Sequence, residues 1–249
     1  MRRASSERRG PVIDPDRLAE IVASIGAVRD RGDDLGGSLC ATCVDVLEVS
    51  GAGIMLMIDG EHSGSLGASN STMGLVEELQ FTLGEGPCID AYESRRPVSE
   101  IDLANPVESR WPVFAGPAVD AGVRAVFGFP VESGPVCIGA LDVYLDRPGD
   151  LSEPKRADAR VLTEVISRTV LDVQANAPPG VVPMPLEATV EHRAVVHQAS
   201  GMVSAQLGIA VEDALARIRA YAYVHGSPVN EVARDIVGRE LRLDPGVEP

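Results

Sequence analysis

Ala177-Pro-Pro-Gly-Val-Val-Pro-Met-Pro185 divides the chain. Four prolines in nine residues exclude a helix and favour an extended, semi-rigid spacer. The hydrophobic pattern changes character across it, from mixed helix and strand before to helix alone after. Three units follow: residues 14–175, a linker over 176–185, and residues 186–243.

Upstream, Asp14-Pro15 opens a helix, and Leu18, Ile21, Val22, Ile25 and Val28 recur at helical spacing. A second helix is expected over Leu35 to Val49. Ala52 to Asp59 is an apolar run of strand length. Thr72 to Gln80 reads as helix, and Gly84-Glu-Gly-Pro-Cys88 as a glycine turn opening a short helix to about Tyr92. Pro97 to Ile101 suits an edge strand, and Trp111 to Ala121 another helix. Val123 to Val131 and Val136 to Leu145 read as a hairpin turning at Glu132-Ser-Gly-Pro135. Ser152 then caps a long helix carrying Val161, Leu162, Val165 and Ile166. This order implies an α+β domain with an antiparallel sheet.

Downstream, three amphipathic helices are expected: about Leu186 to Leu207, Val211 to Val224, and one with Ser227 as N-cap and Pro228 at its first position. Gly208 and Gly226 close the first two. Short connections make this a small three-helix bundle.

Net charge is −15, which speaks against a general nucleic-acid binder. The charge is uneven: residues 1–185 hold 16 Arg/Lys against 28 Asp/Glu, whereas residues 186–243 hold 6 against 7. RNA binding would therefore be local to the C-terminal unit. The basic N-terminal residues precede no apolar stretch, so they read as a tail and not as a secretory signal. No run approaches the roughly 20 apolar residues of a membrane span. Four cysteines in a chain of this length form no disulfide framework, and a cytoplasmic location is expected.

Leu83-Gly-Glu-Gly-Pro-Cys-Ile-Asp-Ala91, Val98-Ser-Glu-Ile-Asp-Leu103, Arg110-Trp-Pro-Val-Phe114 and Ile138-Gly-Ala-Leu-Asp-Val143 resemble, in order and spacing, GAF domains fused to RNA-binding output domains. The resemblance implies a sheet roofed by helices that holds a small-molecule effector or builds a homodimer. His197-Gln-Ala-Ser-Gly-Met202, Glu212-Asp-Ala-Leu215, Ile218-Arg-Ala-Tyr-Ala222 and Val232-Ala-Arg-Asp-Ile-Val237 resemble an ANTAR domain. Such domains bind paired hairpins in nascent RNA and prevent transcription termination. The family usually has a basic residue where this chain has Ser200. It often has Met and a basic residue where this chain has Ser204 and Gln206, and an aromatic at Leu215. The expected whole is a GAF-like α+β domain followed by an all-α ANTAR-like domain, working as a signal-responsive antiterminator. A protein-interaction and dimerisation module without RNA contact stands beside it, resting on the −15 charge and on Ser200.

Cys88 falls among the first residues of a helix, where the macrodipole lowers a thiol pKa. It is a candidate ligand-sensing or redox thiol, or plain packing. GAF-fold enzymes that reduce free methionine sulfoxide pair such a cysteine with another in a nearby loop, and residues 104–114 here have none. Trp111, Phe114 and Phe127 are scarce aromatics that would line a sensory pocket with Cys88, or form ordinary core. Arg193, Ser200, Gly201, Arg219, Arg234 and Arg239 form the candidate RNA-contacting set, since guanidinium forks fit phosphates and stack on splayed bases. A solvated face balanced by Glu212, Asp213, Glu231 and Asp235 is the plain alternative. Cys40-Ala-Thr-Cys43 lies in an amphipathic helix without the further ligands a zinc site needs. His192 and His197, five apart, diverge by roughly 140° on a helix. No catalytic residue, metal or cofactor is expected.

Overall fold

The computed structural model describes residues 35–58, 61–176 and 184–243, together with Ala19 and Ala23. The rest of the expected helix Pro15–Asp30 and spacer residues 177–183 lie outside the described residues. So do the side chains of residues 58, 61–63 and 184–193.

Five strands form an antiparallel sheet in the order β2-β1-β5-β4-β3. β1 is Gly51–Ile58, β2 Glu61–Ala68, β3 Val98–Glu100, β4 Ala125–Ser133 and β5 Val136–Leu145. The hairpin β4–β5 turns at Gly134-Pro135, and β3 pairs with β4 at one edge. β2 is the strand that sequence pattern did not mark. Its Glu61-His-Ser-Gly-Ser-Leu-Gly-Ala68 is small and polar, and its register against β1 shifts twice. Its glycine serves the helix above: a Cβ on Gly67 would stand 2.3 Å from the Gly36 carbonyl carbon. Helix α1, Leu35–Leu47, thus crosses β2 with backbone against backbone.

Alternation along the central strands creates two cores. Ile54, Phe127, Phe129, Leu141 and Val143 face α1 and the long helix α5, Glu153–Ala175. Met55, Met57, Val126, Ala140 and Tyr144 face α2 (Ser71–Leu83), α3 (Pro87–Ser94) and α4 (Ala115–Asp120). Ser152 is the N-cap residue of α5, but its side chain makes no capping bond. α4 is shorter than the expected Trp111–Ala121 because Trp111 to Phe114 form a turn tied to another loop, as described below.

The C-terminal unit is three helices: α6, Met184–Leu207, α7, Val211–His225, and α8, Val229–Val237. Met184 and Pro185, expected in the spacer, already belong to α6. Proline is tolerated in a first turn, where its missing N–H has no intrahelical partner. Ala199, Val203, Ala214, Ile218, Ala222, Val232 and Ala233 make the bundle core. Phe81, from α2 of the sheet domain, belongs to that same cluster. No single helix among the described residues is long and apolar enough to cross a membrane.

Candidate functional site

Gln80 is wholly buried on α2 and organises the side of the sheet where the quoted motifs meet. Its Nε2 donates to Asp142 Oδ2 at 2.7 Å, and its Oε1 accepts from the Cys88 amide at 2.8 Å. Gly86 is needed twice over: its φ is 143°, and a Cβ there would meet Gln80 Oε1 at 2.5 Å. Gly128 brings the start of α3 onto β4, since a Cβ there would lie 2.3 Å from Pro87 O. The glycine turn, the short helix and the two central strands are thereby locked around one side chain.

Glu77, three residues before Gln80 on the same helix face, is 3% exposed. Its carboxyl bonds Ser65, while Oε1 makes no hydrogen bond. Burial holds Glu77 well above the usual carboxylate range, against the Ser65 bond, and the Asp142 charge adds to the rise. Burial likewise pushes Asp142 up to about 7, opposed by its bonds to Gln80 and Cys88. For Cys88, burial and then the charges of Asp142 and Glu77 drive the thiol well above its ordinary value. The expectation of a thiol activated by the helix dipole is corrected. Desolvation and two neighbouring carboxyls outweigh the partial charge of an eight-residue helix. Burial thus favours the neutral forms of all three groups, and the Cys88 thiol over the nucleophilic thiolate.

A second set of ties joins the glycine turn to the Arg110–Phe114 loop. Glu85 Oε1 accepts from the amides of Val113 and Phe114 at 2.6 and 2.7 Å, capping the approach to α4. Trp111 Nε1 donates to Asp90 Oδ2 at 3.1 Å. Arg110 lies 5.0 Å above the Trp111 ring and donates to Ser99 O at 2.7 Å. Cys88, Trp111 and Phe114 therefore share one face of the sheet, all buried. Phe127 does not join them: as the next residue after Val126 on β4, it points into the opposite core with α5. A hollow of 760 Å³ lies elsewhere, beside Arg95, Pro130, Glu132, Arg160 and Ser167, and none of the four expected pocket residues lines it.

On the helical unit, Gly201, Arg234 and Arg239 are exposed, and the Arg193 side chain lies outside the described residues. Ser200 is corrected as a surface contact. It is 1% exposed and its hydroxyl donates to Val196 O at 2.8 Å, inside the bundle. Ser204 bonds Ile209 O at 2.7 Å and Gln206 bonds Leu243 O, so both close the ends of the bundle. Arg219 turns toward the sheet domain, 5.9 Å from the Phe81 ring.

A family model for the GAF domain matches residues 33–170, and one for the ANTAR domain matches residues 185–237. The chain belongs to the GAF–ANTAR family. Among solved structures, the GAF domain from an Acinetobacter phosphoenolpyruvate-protein phosphotransferase is similar at 17% identity and a TM-score of 0.49, covering 64% of this chain and 94% of that one. The corresponding GAF domain from Coxiella burnetii is similar at 15% identity and 0.47, with coverages of 64% and 94%. A type II free methionine-R-sulfoxide reductase from Thermoplasma acidophilum is similar at 16% identity and 0.37, with coverages of 55% and 92%. No curated protein matches the chain.

Within the GAF domain, sequence reasoning missed Glu77, Gln80 and Asp142. Asp142 carried a readable signal, a carboxylate inside the apolar run Val136–Leu145. Within the ANTAR domain it missed Tyr221 and His225, whose rings stack at 3.9 Å near the end of α7. Their spacing of four residues on one helix was the available clue. Among the described residues, no group of three or more His, Cys, Asp or Glu is placed to hold a metal.

Proposed function

We propose that this GAF–ANTAR protein is a cytoplasmic transcription regulator in which the GAF domain, responding to a small-molecule effector, controls binding of the ANTAR domain to paired hairpins of nascent RNA. Antitermination is its output, and a homodimer is its working form. In this reading residues 14–175 are the sensor, 176–185 the spacer and 186–243 the output domain. One observation carries it: a sensor domain and an RNA-binding regulatory domain share one chain, and Phe81 of the first enters the core of the second.

Exposed Arg234, Arg239 and Arg242 suit phosphate, and the exposed edge of the Tyr221–His225 stack suits unstacked loop bases. The near-neutral charge of residues 186–243 also fits this domain as the RNA-facing part. Two hairpins call for two output domains, hence the homodimer.

The test is titration of the full chain with a two-hairpin RNA over a range of salt. Affinity should fall linearly on a log–log plot, with a slope of about −0.7 to −0.9 per phosphate contacted. A chain with no hairpin affinity even at low salt is instead the interaction and dimerisation module that the net charge of −15 and the buried Ser200 favour.

A further inference from the structure

Helix α2 has two working faces. Met73, Val76, Glu77 and Gln80 point into the GAF domain, the last two as members of the buried polar cluster. Glu78 and Phe81, a little over a quarter-turn or more round the same helix, point into the ANTAR domain. Three contacts form there, beside the packing of α6 against β2. Phe81 is 6% exposed and fills the bundle core beside α7. Glu78 Oε1 accepts from the Val229 amide at 3.1 Å, the first N–H of α8. The expected cap Ser227 does not do this, and Pro228 at the N-cap makes no side-chain bond, so the cap of α8 comes from the other domain. In return, Arg219 of α7 stands at the C-terminus of α2: a Cβ on Gly84, the α2 C-cap, would lie 3.1 Å from Arg219 Nη1. A carboxylate at one helix start and a guanidinium at the other helix end each satisfy a macrodipole.

We infer that α2 is a clamp by which the GAF domain holds the ANTAR domain shut, keeping Arg219 from an RNA phosphate. The inference rests on the RNA-binding reading above and names its regulation. Arg219 is half-buried, with its Nε covered and its Nη1 against the Gly84 end of α2, so a phosphate fork on it needs α2 to move away and RNA selects the released form. With the open form at about 1–10% of molecules, release tightens RNA binding roughly 10- to 100-fold. The helix that clamps also carries Glu77 and Gln80, so a change in the buried cluster reaches Arg219 through one rigid element.

The test uses the full chain with Glu78→Lys, which sets a cation against the α8 start, and separately with Phe81→Ser, which changes no charge. Hydrogen exchange at the Val229 amide reads the clamp without RNA, and hairpin titration reads its consequence. Both variants are expected to exchange faster at Val229 and to bind a two-hairpin RNA roughly 10- to 100-fold more tightly. Adding Arg219→Ala to either should remove the gain. Unchanged exchange at Val229 in both variants overturns the clamp and leaves the RNA reading standing. Faster exchange with hairpin affinity equal to that of the parent chain overturns the masking of Arg219. Faster exchange with no hairpin affinity in any chain refutes the RNA reading itself, and the masking falls with it.

Discussion

Replacing Asp142 by Asn tests the buried cluster through proton linkage. The carboxyl rises from an ordinary 3.8 to about 7, mainly through burial. The folded chain therefore holds a proton that the unfolded chain has already released. Between about pH 4 and pH 7 the folded state binds more protons, so stability falls as pH rises, and above about pH 7 the loss is complete. A rise of that size corresponds to about 4 kcal/mol. Asn keeps an oxygen to accept from Gln80 and never becomes charged, so it removes this part of the pH dependence. Urea unfolding followed by fluorescence is the assay, because Trp111 is the only tryptophan and reports the GAF domain alone. Relative to acid below about pH 3.5, where the two chains should be of similar stability, Asp142→Asn should already be ahead by about 1–2 kcal/mol at about pH 5 and by up to about 4 kcal/mol at about pH 8.5. Glu77, raised by the same burial, leaves the variant a residual slope of the same sign. Parallel pH profiles for parent and variant would refute the reasoning.

The same burial governs the thiols. All four cysteines are free and buried, with Cys43 pushed up to about 12, so the native chain should resist a thiol reagent at mildly alkaline pH and titrate fully once unfolded. Rapid labelling of native Cys88 would contradict the raised thiol value. Glu85→Ala leaves the Val113 and Phe114 amides without their acceptor and should cost about 1–3 kcal/mol in the same fluorescence assay, with Glu85→Gln recovering part of it.

The legible parts of the sequence were those in which one face alone decides the pattern. Helices α1, α5 and α7 show this, with apolar residues at helical spacing and glycine or proline at their ends. The hairpin β4–β5 was equally plain, because both strands are buried on both faces and read as continuous apolar runs. β2 was hidden because its small residues fit the backbone of α1 and the ANTAR helix α6 packed against it, and not a hydrophobic face. The candidate site was half legible. The four quoted motifs do meet, through Glu85, Asp90, Cys88, Asp142 and the Arg110 bond to Ser99, yet their hub Gln80 belongs to none of them. Phe127 was misplaced because one residue's shift along a strand exchanges faces, which composition cannot reveal. Arg219 and Ser200 were read as surface residues because burial against a second domain, or between helices of unknown register, leaves no mark on local sequence.

Phe81 counts as a residue of two domains, and that limits how freely the domains can be recombined. A chimera cut at the spacer would carry the whole GAF domain away with Phe81 and Glu78 and leave the ANTAR bundle with an open seat in its core and an uncapped α8. Another sensor grafted in its place would need a helix with an acid and an aromatic three residues apart on its outer side. The outer face of α2, with the strand β2 on which α6 packs, thus acts as the compatibility code between input and output, and a productive exchange has to transplant both as well as the fold.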